Sequence, residues 1–222
     1  MILIFDLDET LYEERTYVES GFRSVACWLE TQFAWDRETS YRLMTALLEQ
    51  HGRGRVFDRL LAARGITRKS IVRHCVKVYR HHLPEIQLWP AARGLLQNLP
   101  RYPLYLITDG HKIAQARKVE ALGIAHRFRK VYLTHRYGLR SAKPSTACFE
   151  RVRTRENCPW TELVHIADNP AKDFVNLTPL GVHTVRVLTG GHRDAKAAPG
   201  HDARYRIPDL THLPQFLQRI QS

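Results

Sequence analysis

The sequence has no long apolar run and few cysteines, and each shortage argues against a class of protein. No stretch approaches the ~20 apolar residues that a membrane-spanning helix needs. The four cysteines among 222 residues are scattered without a C-x-x-C pair, which argues against a disulfide framework or a zinc site. The first residues carry no basic segment or small-residue cleavage site, so a cytoplasmic location is expected.

Acidic residues are in the minority, with 22 Asp and Glu against 34 Lys and Arg and a formal net charge of +12. A solvated basic surface, a field that attracts anionic substrates and nucleic-acid binding are the three alternatives. The basic residues are spread along the whole chain rather than gathered in a tail, and no nucleic-acid-binding motif accompanies them. Nucleic-acid binding is therefore the least favoured of the three alternatives.

Short apolar runs that end in polar residues predict five buried strands, at residues 2–5, 103–107, 130–133, 163–167 and 183–188. Helical patterns at about 111–122, at 144–153 and near Ala171 separate the last four. Strands that alternate with helices predict a doubly wound, Rossmann-like α/β fold with a parallel sheet. The segment 189–205 is predicted to be a loop, and a last helix is predicted over 213–220.

Residues 13–100 interrupt this alternation because they contain helical patterns only. Val18, Phe22 and Leu29 recur at helical spacing, and Asp36 is a plausible N-cap for a second helix. The block is long enough to pack as a helical bundle inserted between the first two strands. The predicted domains are therefore a sheet domain of residues 1–12 and 101–222 and a helical domain of residues 13–100.

Polar side chains follow the predicted strands at the edge where parallel sheets bind ligands. Asp6 and Asp8 follow the first strand, Thr108 the second and Asp168 the fourth, while Lys143 precedes the helix after the third. Carboxylates brought together repel one another, and a hard divalent cation such as Mg²⁺ relieves that repulsion.

A cation beside these carboxylates, with Lys143 and Thr108 nearby, makes a pocket suited to a phosphoryl group. Backbone N–H groups at Gly110 and at the following helix N-terminus add donors for phosphoryl oxygens.

The segment Asp6-Leu7-Asp8-Glu9-Thr10 resembles the D-x-D-x-T signature of the haloacid dehalogenase-like (HAD) hydrolase superfamily. Thr108 resembles its second motif and Lys143, in Ala-Lys-Pro-Ser, resembles its third. Asp168 and Asp173, five residues apart, resemble the acids of its fourth motif. The inserted helical block is similar to the C1 type of cap found in this superfamily.

The resemblance implies Mg²⁺ as the cofactor and a role for each matching residue. Asp6 would be the nucleophile that forms an aspartyl-phosphate, Asp8 the general acid and base, and Lys143 the cation that pairs with Asp6. The substrate-binding set would be Thr10, Thr108, Asp109, Gly110 and Lys143. The metal set would be Asp6, Asp8 through its carbonyl, Asp168 and Asp173, the last directly or through water.

Asp8 favours phosphoryl transfer, because an alkoxide leaving group needs a proton donor and the dehalogenase branch lacks an acid at this position. The phosphonatase branch needs a lysine near the start of the cap. The block contains only Lys69 and Lys77, and neither lies near its start, which argues against that branch. The prediction is a Mg²⁺-dependent phosphatase acting on monoesters of small metabolites: a sugar phosphate, a nucleotide or a cofactor phosphate.

A phosphomutase of the same fold, or a catalytically inactive basic binding protein, stays open as an alternative. The protein is expected to be a monomer or a homodimer. Candidate contacts to the leaving group, in the loop after the first motif, are Tyr12, Glu13, Arg15 and Tyr17. Arg53 and Arg55 flank a glycine in the helical block and are candidates to reach a second anionic group of the substrate.

Overall fold

The computed structural model of the chain describes residues 1–99 and 102–221. These residues divide into two compact units. The first, the sheet unit, contains Met1–Glu14 and Gln87–Ser222, and the second, the helical unit, contains Arg15–Ile86.

The sheet unit is built on six parallel strands in the order β3-β2-β1-β4-β5-β6. The strands are β1 (Ile2–Phe5), β2 (Leu104–Thr108), β3 (Lys130–Leu133), β4 (Leu163–Ala167), β5 (His183–Val187) and β6 (Tyr205–Ile207). Every residue of β1, β2 and β4 is buried, as expected for central strands of a parallel sheet that is covered on both faces. The predicted doubly wound α/β fold is confirmed.

Eight α-helices are described. They are α1 (Glu14–Phe33), α2 (Arg37–His51), α3 (Val56–Ala62), α4 (Lys69–His81), α5 (Pro90–Asn98), α6 (Lys112–Leu122), α7 (Ala147–Glu156) and α8 (Leu213–Arg219). Gly123 ends α6 in the left-handed conformation that a helix C-terminus favours. One hydrophobic core cluster of the sheet unit joins β1 and β2 to α7 through Ile4, Tyr105 and Phe149, which are all fully or almost fully buried.

The sheet has a topological switch point at β1, where the strand order changes direction. The chain adds β2 and β3 on one side of β1 and then β4, β5 and β6 on the other. In open α/β sheets the crevice at such a switch point, outside the carboxyl ends of the strands, is where ligands bind. The residues that follow β1 and β4 therefore lie at the favoured position for a site.

The helical unit has its own aromatic core. The Phe22 ring packs against Phe57 with a centroid separation of 6.1 Å, and Tyr79 lies 5.7 Å from Phe57 and 5.3 Å from Tyr17. The Asp36 side chain accepts a hydrogen bond from the Thr39 N–H at 2.7 Å. This bond satisfies one of the free N–H groups at the start of α2, as the sequence predicts for an N-cap.

The structure differs from the sequence predictions at three places in the sheet unit. Residues 205–207 form β6, where no strand is predicted and where residue 205 ends the predicted loop; this edge strand is too short to show a recognisable pattern. Helix α7 begins at Ala147 rather than at Pro144. No helix forms near Ala171, because residues 169–173 fold into a turn held by Asn169 and Asp173.

The division between the units also differs from the predicted one. Helix α5 (Pro90–Asn98) belongs to the sheet unit, whereas its helical pattern places it in the predicted helical domain of residues 13–100. The Trp89 N–H donates to the Leu11 carbonyl at 3.0 Å, which ties the start of α5 to the segment after β1. The predicted boundary itself, between residues 100 and 101, lies outside the described residues. Within the described part of the chain, no helix combines the length and apolar character needed to cross a membrane.

Candidate active site

The residues predicted to carry chemistry meet at the carboxyl edge of the central strands. Asp6 follows β1 directly, Thr108 is the last residue of β2, and Asp168 follows β4 directly. All three are buried, with at most 3 % of their surface exposed. Because β1 pairs with both β2 and β4, these three positions are neighbours at one edge of the sheet.

Asp6 and Lys143 form the centre of the site. The Lys143 ammonium lies 2.6 Å from Asp6 Oδ1 and 2.6 Å from Asp173 Oδ1, and all three side chains are at least 96 % buried. Burial raises the pKa of Asp6 to about 7, although Lys143 acts to lower it. Burial acts to lower the pKa of Lys143, but Asp173 and Asp6 outweigh it and raise the pKa. Lys143 therefore stays an ammonium ion.

Three buried carboxylates lie close enough together to hold one cation. Asp6, Asp168 and Asp173 each offer an oxygen, and these oxygens lie within 4.8 Å of one another. Burial raises the pKa of Asp168, against a hydrogen bond from His192. Burial and the nearby Asp173 carboxylate raise the pKa of Asp6 and of Asp168 more than the neighbouring cations lower it. An all-oxygen set of this charge and size fits a hard divalent cation such as Mg²⁺.

Two side chains hold the Asp168 carboxylate from either side. His192 Nδ1–H donates to Asp168 Oδ2 at 2.6 Å, and the Thr10 hydroxyl donates to Asp168 Oδ1 at 3.3 Å. The hydrogen bond to Asp168 raises the pKa of His192. Thr10, predicted to bind substrate, is fully buried and its hydroxyl is engaged with Asp168.

Asp8 lies two residues beyond Asp6 and has different surroundings. Its Oδ1 accepts hydrogen bonds from the Tyr12 hydroxyl at 2.5 Å and from the Lys118 ammonium at 2.6 Å. Its Oδ2 accepts a bond from Gln115 Nε2 at 2.8 Å. Burial acts to raise the pKa of Asp8, but Lys118 and these hydrogen bonds outweigh it, so the pKa is lowered.

The turn after β2 is shaped by Asp109 and Gly110. The Asp109 carboxylate accepts bonds from the Thr134 hydroxyl at 2.7 Å and from the Lys143 N–H at 3.1 Å. Asp109 thus holds the backbone that carries Lys143. Gly110 has φ +129°, and a Cβ there would lie 3.2 Å from the Gln115 side chain, so the turn requires glycine.

This site can be compared with known proteins. A family profile described as haloacid dehalogenase-like hydrolase matches residues 1–174. The chain belongs to the haloacid dehalogenase-like hydrolase family. The matched residues contain Asp6, Asp8, Thr108, Lys143 and Asp168, and the predicted family is confirmed.

Two curated relatives share the name glyceraldehyde 3-phosphate phosphatase. The one from Methanocaldococcus jannaschii is 29 % identical over an alignment of 231 positions, gaps included, which covers 99 % of this chain and 97 % of the relative. The one from Methanopyrus kandleri is 26 % identical, over 94 % of this chain and 91 % of the relative. Among solved structures, the HAD-hydrolase YfnB from Bacillus subtilis, bound to magnesium, superposes with a TM-score of 0.70 at 18 % identity. That alignment covers 97 % of each chain and shows a shared fold.

In this haloacid dehalogenase-like hydrolase, the turn after β4 brings Asp173 to the site. Asp173 Oδ2 accepts a hydrogen bond from the Asn169 N–H at 3.0 Å, and Asn169 Oδ1 accepts one from the Ala171 N–H at 2.9 Å. Asp173 Oδ2 thus faces the turn, while Oδ1 faces the Lys143 ammonium. The five-residue spacing between the two acids is the length that this turn spans.

Three side chains at the site were not predicted from the sequence: Gln115, Lys118 and His192. Gln115 and Lys118 are three residues apart on α6, so they share a face of the helix. That face also carries the buried Ala114 and Val119, and two polar residues within an apolar face are the available signal. His192 lies in the segment predicted to be a loop, and no sequence pattern links it to Asp168.

The residues predicted to contact the substrate beyond its phosphoryl group differ in burial and in their partners. Tyr12 is buried and its hydroxyl contacts Asp8. In the helical unit, the Tyr17 hydroxyl donates to the Tyr79 carbonyl at 3.3 Å, and Arg15 pairs with Glu19 at 2.9 Å. Glu13 follows Tyr12 at an exposed position. Arg53 and Arg55 are exposed on either side of Gly54.

Proposed function

We propose that this chain is a Mg²⁺-dependent phosphatase of small phosphorylated metabolites that acts through an aspartyl-phosphate on Asp6. The observation that carries the proposal is the buried group of Asp6, Lys143, Asp168 and Asp173 at the carboxyl edge of β1 and β4. The coarser assignment, a phosphoric monoester hydrolase, rests on the family match and the phosphatase relatives.

Asp6 is the nucleophile in this proposal. Its carboxylate directly follows the central strand and is fixed by Lys143 at 2.6 Å. Asp6, Asp168, Asp173 and the Asp8 carbonyl are the proposed holders of the metal, and the magnesium-bound structure of the similarly folded YfnB supports this choice of ion. A bound Mg²⁺ would supply positive charge that keeps Asp6 ionised and stabilises the phosphoryl oxygens.

Asp8 is the general acid and base. Attack by Asp6 forms a P–O bond to its carboxylate and breaks the P–O bond to the leaving group. Because its donors lower the pKa of Asp8, Asp8 has to be protonated in the complex with substrate. It then gives this proton to the leaving alkoxide, and afterwards takes a proton from the water that hydrolyses the aspartyl-phosphate.

The phosphoryl group is bound by Thr108, the Gly110 N–H and Lys143 in this proposal. Thr108 is the last residue of β2 and is fully buried. The Lys143 ammonium already neutralises two carboxylates, and it would partly offset the charge that develops on the transferred group. Asp109 contributes by holding the Lys143 backbone.

The substrate proposed is a phosphate ester of a short, polar aliphatic alcohol. Glyceraldehyde 3-phosphate is the first candidate, because two curated relatives that match almost the whole chain are named for it. The net charge of +12 suits an anionic substrate. The helical unit takes the role of the cap in this proposal.

The test is release of inorganic phosphate from glyceraldehyde 3-phosphate, p-nitrophenyl phosphate and a panel of sugar, nucleotide and cofactor phosphates. The native chain is assayed with Mg²⁺ and with a chelator, beside Asp6→Asn and the exposed control Asp58→Asn. We expect turnover that requires Mg²⁺, is absent in Asp6→Asn and is unchanged in Asp58→Asn. Folded, Mg²⁺-loaded native protein that hydrolyses no ester would contradict the proposal and would direct the assays to phosphomutase activity.

A further inference from the structure

A buried lysine outside the family motifs contacts the proposed acid. Lys118, in the middle of α6, is 3 % exposed, and its ammonium lies 2.6 Å from Asp8 Oδ1 and 3.5 Å from Glu14 Oε1. Burying an ammonium ion is costly unless it is paired and hydrogen-bonded. The roles assigned to the family motifs do not use Lys118.

Lys118 is one of three donors that together fix the Asp8 carboxylate. Oδ1 accepts from Tyr12 and Lys118, and Oδ2 accepts from Gln115. Because both oxygens are engaged, the plane of the carboxylate as well as its position is set. Gln115 Nε2 also lies 2.5 Å from the Thr108 hydroxyl, which links the orientation of Asp8 to the proposed phosphoryl pocket.

We propose that Lys118, with Tyr12 and Gln115, is a positioning residue that holds Asp8 in place for proton transfer to the leaving group. The inference rests on the proposed function and deepens it. Neutralising the charge of Asp8 would require the Lys118 ammonium alone, without the hydrogen bonds from Tyr12 and Gln115. The three donors instead converge on the one side chain that has to deliver a proton to a defined atom.

The choice of leaving group separates these two roles. When Asp6 attacks phosphorus, the electron pair of the breaking P–O bond goes to the leaving oxygen. An aliphatic alkoxide must receive the Asp8 proton as it leaves, whereas p-nitrophenolate is stable without one. A residue that acts through Asp8 therefore matters for aliphatic esters and matters little for p-nitrophenyl phosphate.

The experiment compares kcat/KM for two esters in Lys118→Met, in Tyr12→Phe and in the native protein. The esters are p-nitrophenyl phosphate and the aliphatic ester of the panel that the native protein hydrolyses fastest. The ratio kcat/KM reports the steps up to release of the alcohol, so the later hydrolysis of the aspartyl-phosphate does not mask the effect.

We expect Lys118→Met to lower kcat/KM for the aliphatic ester by about 30-fold, and for p-nitrophenyl phosphate by less than about 3-fold, since misplacing a catalytic group by 1 Å can cost ~100-fold. Tyr12→Phe removes one hydroxyl and leaves the ring in place, so we expect the same preference with a loss of about 5-fold. Arg117→Met is the matched control, because Arg117 pairs with Glu120 at the surface of the same helix.

A second measurement separates action through Asp8 from a general disturbance of the site. In an Asp8→Asn background the proton donor is already absent, so adding Lys118→Met should leave the residual kcat/KM for the aliphatic ester within about 2-fold. Effects that multiply in the double variant would overturn the inference.

Equal losses for both esters in Tyr12→Phe, or no loss in either variant, would also overturn it. If Lys118→Met does not fold, as judged by its thermal unfolding, Tyr12→Phe alone decides the question. Failure of the proposed function itself is distinguishable, because the native protein would then turn over neither ester.

Discussion

Replacing Gly190 by alanine should destabilise the sheet unit far more than the same change at Gly191. Gly190 has φ +59°, and a Cβ there would lie 1.5 Å from Glu9 Oε2. The Glu9 side chain must therefore leave its place. At Gly191 the φ angle is ordinary and no atom lies within 4 Å of a Cβ. The two neighbouring glycines thus form a matched pair.

The magnitude follows from what Glu9 holds. Its carboxylate accepts a bond from the Gly191 N–H at 2.9 Å and another from the Glu14 N–H at 2.9 Å. Losing both bonds, partly replaced by water, costs about 2 kcal/mol. A non-glycine residue in the left-handed region costs about 1 kcal/mol more. We expect Gly190→Ala to lower the free energy of unfolding by about 3 kcal/mol, and Gly191→Ala by less than about 0.5 kcal/mol.

Urea unfolding at 25 °C, followed by circular dichroism, measures both variants against the native chain. The same loop carries His192 to Asp168, so Gly190→Ala should also weaken Mg²⁺ binding in a calorimetric titration. Equal unfolding midpoints for the two alanine variants would refute the reasoning, because the Glu9 side chain fills the space of a Cβ at residue 190 but not at residue 191.

Two further predictions concern charged pairs of the sheet unit. His192→Ala removes the donor to Asp168 Oδ2, so we expect Mg²⁺ to bind about 10–100-fold more weakly by calorimetry, with the exposed His126→Ala unchanged; equal affinity would contradict this role. Burial acts to raise the pKa of Glu156, but hydrogen bonds from Tyr105 and Arg129 outweigh it and lower the pKa. The resulting stability, about 1 kcal/mol because Arg129 is half-exposed, is present above the unfolded pKa of 4.5 and is lost as the pH falls through the lower folded pKa. Urea unfolding of the native chain and Glu156→Gln should therefore differ at pH 7, and the difference should shrink as the pH falls below 4.5. A difference that does not change with pH would refute it.

The sheet was predictable because its central strands are continuous apolar runs. Residues 2–5 and 163–167 are buried on both faces, so nearly all of their side chains are apolar and the run is visible in the sequence. Strand β6, at residues 205–207, lies at the sheet edge with one buried residue, and three residues of that kind carry no period. Helix α5 has an apolar pattern like the helices of the inserted block, so the sequence does not show that it belongs to the sheet unit. The hydrogen bond from Trp89 to Leu11 is a tertiary contact that no local pattern predicts.

The candidate site divides in the same way. Asp6, Thr108 and Asp168 were predictable because each follows a recognisable strand, and parallel pairing then brings them to one edge. Lys118 and His192 reach the site from a helix face and from a loop, 110 and 24 residues away in sequence from the acids they contact. Only the packing of the folded chain specifies contacts of this kind.

The two acids of the first motif illustrate how the fold gives like side chains unlike properties. Asp6 and Asp8 are two residues apart, yet burial raises the pKa of Asp6, while Lys118 and its neighbouring donors outweigh burial at Asp8 and lower its pKa. Asp6 shares the single ammonium of Lys143 with a second carboxylate, so its negative charge is incompletely compensated and suits a divalent cation. Asp8 has a nearby ammonium and two neutral donors. With a divalent cation bound, Asp6 would be held as the ionised nucleophile. Asp8 faces protein donors that favour its carboxylate form, so it has to take up a proton in the complex with substrate before it can act as the acid.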